Sequence, residues 1–93
     1  MSEQQYNWKW NGPAHLLLCT GETIDTCCAR LRRSRCMGLG KPVASFGWFL
    51  FDAQDQPVLL KSVIDDQPYQ PWRPDKRSAQ AIAVSWARGE LKP

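Results

Sequence analysis

Two apolar runs, VASFGWFLF and VLLKSVI, flank the polar break Asp52-Ala-Gln-Asp-Gln-Pro57, and no other feature restricts the fold so tightly. Runs rich in β-branched and aromatic residues on either side of such a break predict a β-hairpin over Val43–Ile64. In the first run Val43, Phe49 and Phe51 fall on one alternating face, and Phe46, Trp48 and Leu50 on the other. A strand apolar on both faces has to be covered on both, so the rest of the chain must supply that cover.

Upstream, Tyr6, Trp8 and Trp10 alternate with Asn7 and Lys9, and Asn11-Gly12 separates them from the apolar run Ala14–Cys19. Asn-Gly between two such runs is a hairpin signal, because both residues tolerate positive φ. Pro13 cannot donate to a ladder, so either the pairing begins a residue or two later or the turn is wider. The three rings share one face, which either covers the core or forms a stacking platform for bases or a partner.

Thr20-Gly-Glu-Thr23 offers a helix cap, and Ile24, Cys27, Cys28 and Leu31 fall at i, i+3, i+4 and i+7. That spacing predicts a helix from Thr23 to Met37, closed by Gly38. After the central hairpin, Pro68, Pro71 and Pro74 make residues 65–74 a Pro-rich strap, which Trp72 is expected to pin to the domain. A second helix follows, capped by Asp75 or Ser78, with Ala79, Ile82, Ala83 and Trp86 as its apolar stripe and Gly89 at its end. The expected class is therefore α+β: a four-stranded antiparallel sheet in β-β-α-β-β-α order with two helices packed on it.

A chain of 93 residues with 43% hydrophobic content is enough for one compact domain, 1–93, with a frayed tail at 90–93. It has no apolar run long enough to span a bilayer, and its N-terminus lacks the regions of a signal peptide. The expectation is a cytoplasmic protein without membrane contact, whose cysteines are reduced.

No arrangement of residues points to catalysis. The single histidine, His15, lies inside an apolar run, and the pairs Asp65-Asp66 and Asp52/Asp55 sit in turns, where aspartate bonds locally. On a helix the nine residues from Cys27 to Cys36 span about 13 Å, too far for one zinc. The chain is read as a non-enzyme with no metal and no cofactor.

Charge is more informative. Arg30, Arg32, Arg33, Arg35 and Lys41 carry five positive charges with no acid among them, although the net charge is only +3. On the expected helix the four arginines form a basic face, with Arg30 beside Arg33 and Arg32 beside Arg35 at i, i+3, suited to phosphate or to an acidic protein surface. The leading expectation is a small interaction protein, of the inhibitor or adaptor kind found in phages and mobile elements. It would dock on a larger protein, or on a second copy, through these cations and Tyr6, Trp8, Trp10 and Trp72. The alternative is a nucleic-acid-binding module using the same arginines with Trp and Tyr stacking. A third is a pocket for a nucleotide-like ligand lined by Trp10, Trp72 and Trp86.

Overall fold

The computed structural model describes residues 5–38 and 41–91, and side chains within 5–35 and 46–91. Strands β1 (Asn7–Trp10), β2 (His15–Cys19), β3 (Cys27–Gly38), β4 (Lys41–Asp52) and β7 (Trp72–Arg73) form a five-stranded antiparallel sheet in the order β1-β2-β3-β4-β7. Strands β5 (Leu60–Lys61) and β6 (Pro68–Tyr69) make a separate two-stranded sheet. One α-helix, α1 (Lys76–Ala87), is present among the described residues and packs over β3, β4 and β7. The class is α+β, but a four-stranded sheet with two helices is not what forms.

The first hairpin follows the sequence pattern. Trp8 pairs with Leu18 and Trp10 with Leu16, while Gly12 at φ 100° carries the turn. The turn is wide, closed by the Asn11 amide donating to the His15 carbonyl at 2.8 Å. All five residues of β2 are buried, so it needs cover on both faces and a neighbour along both edges.

That requirement overturns the helix expected over Thr23–Met37. Only a short 3-10 turn, Ile24–Thr26, precedes β3, which runs between β2 and β4. A helix here would have left the edges of both flanking strands without partners, so pairing overrides a weak local preference. Ala29 and Leu31 are fully buried and alternate with the partly exposed Arg30 and Arg32, a period of two. Ile24, the first residue of the supposed stripe, is exposed. Cys27 and Cys36 therefore stand nine strand residues apart, about 30 Å, further than a helix would place them.

The central hairpin is also re-partnered. The turn after Asp52 closes locally, with the Asp52 amide on the Gln56 carbonyl and a single bridge between Phe51 and Pro57. The Val58 amide makes one further bond, to the Leu50 carbonyl at 3.2 Å, and residues 59–64 do not continue along β4. Pro57 has no N–H to extend the ladder, and β7 takes that edge instead, pairing Phe49 with Trp72 and Trp48 with Arg73. The Pro-rich strap thus contains two short strands, and its Trp72 is half-buried across Gly47 and Phe49. A Cβ on Gly47 would overlap the Trp72 ring and sit 2.5 Å from the Arg73 carbonyl oxygen, so this close crossing requires glycine.

The last helix forms as its stripe predicts. Asp75 caps it by accepting from the Ser78 amide, Ala79 and Ala83 are buried, and Gly89 follows at φ 78°. With Leu16, Leu18, Ala29, Leu31, Trp48 and Leu50 they make the core between helix and sheet. In the tail, Leu91 packs against this core, and Lys92 and Pro93 lie outside the described residues.

Candidate functional site

Strand alternation divides the four arginines of β3. Ala29, Leu31, Arg33 and Arg35 share the helix-bearing face, while Arg30, Arg32 and Ser34 point to the opposite one. The basic helix face expected from the sequence therefore does not exist. Its pairing of Arg30 with Arg33 and of Arg32 with Arg35 is replaced by Arg30 with Arg32 and Arg33 with Arg35.

On the helix-bearing face, cations and rings alternate in an unbroken strip beside the start of α1. Lys76, the first residue of the helix, lies 5.3 Å over the Trp10 ring. Trp10 meets Trp48 at 5.9 Å between ring centres, and Trp48 stands opposite Arg33 in the sheet. Arg33 and Arg35 both lie over Phe46, at 5.2 and 4.8 Å. Trp48 is buried and anchors the strip, whereas Trp10 and Phe46 are 54% and 46% exposed.

The strip's electrostatics follow from what is missing around it. From Thr26 to Phe51 the sequence has no acidic residue, so every charge on the paired strands short of Asp52, at the far end of β4, is positive. The described ion pairs are Arg32–Asp55, Lys61–Asp66 and Arg88–Glu90. Arg33, Arg35 and Lys76 enter none of them among the described residues. The helix-cap carboxylate, Asp75, accepts from the Ser78 amide, which together with the Ser78 side chain lowers its pKa from the ordinary value. Cation–π contact leaves guanidinium and ammonium N–H groups free to donate outward.

The opposite face is treated differently. Arg30 donates through Nε and Nη2 to the Ala53 carbonyl at 3.2 and 3.1 Å. Arg32 grips both carboxylate oxygens of Asp55 at 2.8 and 2.5 Å, a bidentate pair that depresses the Asp55 acid. His15, opposite Arg32 on β2, is buried, and that burial with the nearby arginines lowers its pKa and keeps the ring neutral.

The other sequence candidates are dispersed. Tyr6 and Trp8 pack against the core, and Arg88 lies over the Tyr6 ring at 6.0 Å. Trp72 sits on the face away from Trp10 and the helix that bears Trp86, so these three do not line one pocket. The side chain of Lys41 lies outside the described residues, as does that of Cys36. Cys19 and Cys27 are cross-strand neighbours, and burial pushes the Cys27 and Cys28 thiols up. No cluster of three metal-ligating side chains occurs among the described residues, and no described helix is long and apolar enough to cross a membrane.

Phe46, Trp48 and Lys76 were not foreseen as site residues. The signal for the first two was present: in a strand, Phe46 shares a face with Trp48, and a paired β3 places arginines opposite both. No family model, curated protein or solved structure matches the chain.

Proposed function

We propose that the protein binds single-stranded nucleic acid along the strip Lys76–Trp10–Trp48–Arg33–Phe46–Arg35. The observation that carries this reading is the pairing of two exposed rings with three cations that enter no ion pair among the described residues. A flexible polyanion carrying flat bases matches both halves of that pattern: phosphates meet the cations and bases stack on Trp10 and Phe46. Base–ring stacking is tolerant of sequence, so the expected binding has little base preference. The binding is non-catalytic, with Trp48 and the helix start acting as a rigid backing.

The test is a titration of an eight-residue oligothymidylate followed by tryptophan fluorescence across a salt series. Three phosphate contacts correspond to a slope near −2 in log K against log salt, at roughly 0.7 per contact for single strands. Saturable quenching with that slope supports the reading. No quenching, or a salt-independent signal unchanged in Arg33→Ala/Arg35→Ala, overturns it.

A second reading, an adaptor that docks on a larger protein, is favoured by a separate observation at the β5–β6 turn. Val63 and Ile64 are 100% and 91% exposed there, beside the half-exposed Leu59 and Tyr69. Adjacent apolar side chains left wholly in water mark an interaction surface. Loss of a co-purifying partner in Val63→Asp/Ile64→Asp, with oligonucleotide binding intact, supports this role; an unchanged set of co-purifying proteins counts against it.

A further inference from the structure

The face of the sheet turned away from α1 offers a second recognition surface built from different residues. We propose that the notch between the β1–β2 turn and the β3–β4 hairpin binds a compact aromatic phosphomonoester of the nucleoside monophosphate class. In this site Arg32 exchanges the Asp55 carboxylate for the ligand's phosphate, and the ring lies against Phe49 and Phe51.

The cavity is of suitable size and lining. A cleft of about 530 Å³ is bordered by His15, Arg32, Ser34, Phe49, Phe51 and Gln70, within the roughly 300–1,000 Å³ usual for small-molecule sites. Its two phenylalanines supply apolar faces, and Arg32, already 5.8 Å over the Phe51 ring, places a forked cation beside them. That fork binds Asp55 through Nε and Nη2 together, the geometry by which guanidinium also grips phosphate.

The bond to Asp55 is well placed to exchange. Both side chains are about two-fifths exposed, so dissolved anions reach the pair and salt screens it. The loop bearing Asp55 also fills the neighbouring fork, because Arg30 closes on the Ala53 carbonyl. The chain thus covers two arginines with its own oxygens, as a ligand would.

An unused polar atom completes the picture. His15 is more than nine-tenths buried, its Nδ1 faces the Asn11 amide nitrogen at 3.4 Å, and its Nε2 has no partner. Arg32 and Asp55 both lie close enough to act on that ring's charge. That Nε2 is the one buried side-chain polar atom without a hydrogen-bond partner among the described residues, and its residue borders the cleft.

The experiment is an amide-resolved NMR titration of the full chain with adenosine 5′-monophosphate, adenosine and inorganic phosphate in separate arms. The monophosphate is expected to give saturable shifts at His15, Phe49 and Phe51, with adenosine and phosphate each at least about tenfold weaker, since each lacks one of the two contacts. Asp55→Asn removes the competing charge, and asparagine suits the positive φ of 65° at this position. It should tighten monophosphate binding up to about fivefold. Phe46→Ala should leave the monophosphate-induced shifts at His15, Phe49 and Phe51 unchanged, which separates this site from the strip on the other face. Absence of saturable shifts in the cleft, shifts confined to the strip, or unaltered affinity in a natively folded Asp55→Asn overturns the proposal. If Asp55→Asn loses its native spectrum, Arg32→Lys decides: weaker binding upholds the site, and equal binding overturns it.

Discussion

The two faces of β3 present the same side chain to opposite fates. Arg30 and Arg32 meet oxygen acceptors from the loop that follows β4, while Arg33 and Arg35 lie over the ring of Phe46 and enter no ion pair among the described residues. One residue of register separates the sets, and the difference lies in what the rest of the chain brings over each face. On one side the acceptors arrive within the turn Asp52–Gln56; on the other α1 begins with a lysine. Cations satisfied by their own chain lend little to recognition until those acceptors move, and cations held by rings keep their donors for something else.

The largest effect should come from breaking the cover on the acceptor-bearing face. Gly47→Ala puts a Cβ into the Trp72 ring and the Arg73 carbonyl, so β7 must shift away from β4. Overpacking of this kind costs roughly 1–3 kcal/mol, measurable by urea denaturation. A loss near zero would show that β7 moves freely and that Trp72 does not hold this face.

Next comes the comparison of the two arginine pairs in binding. Arg33→Ala/Arg35→Ala should lower oligonucleotide affinity about tenfold and make the salt slope shallower by about 1.4, two contacts at roughly 0.7 each. Arg30→Ala/Arg32→Ala should change both by much less. Equal effects from the two pairs would erase the distinction. Phe46→Ala should cost about 1–3 kcal/mol of binding by lost stacking while leaving the urea midpoint nearly unchanged, since the ring is half exposed.

The smallest effects are in pH. Burial and Arg32 hold His15 below its ordinary value, so the unfolded chain takes up that proton first as pH falls. Stability should therefore decline from about pH 6.5 downward through the lowered folded value, and His15→Leu should flatten that part of the curve. Asp55 has its acid depressed by Arg32; its contribution is present above the ordinary carboxylate range and is lost as pH falls through the lowered folded value. Asp55→Asn should remove that second decline, read from denaturation midpoints between pH 5 and about 2.

Much of this arrangement could be read from residues, and the failures share a cause. The first hairpin and α1 are marked by local chemistry, Asn11-Gly12 in one and the Asp75 cap, alanine stripe and Gly89 in the other. Strand β3 carries no such mark. In Cys27-Cys-Ala-Arg-Leu-Arg-Arg the apolar residues satisfy a period of 3.6 if the cysteines count, and a period of two if Ala29 and Leu31 count. Only the need of β2 and β4 for a common neighbour decides, and that is a long-range fact. The candidate site inherits the same error: its arginines and Trp10 were visible, but the wrong period grouped them, and Phe46 and Lys76 enter only once β3 is a strand.

The brevity of β7 bears on how the protein behaves at high concentration. A long, open strand at the side of a sheet is a template for adding chains edge to edge. Here the edge beside β4 is closed by two residues, set between Pro71 and Pro74, neither of which has an N–H to offer an incoming strand. Along this margin the apolar stretch Phe46–Phe51 is shielded from self-association by a guard too short to be copied.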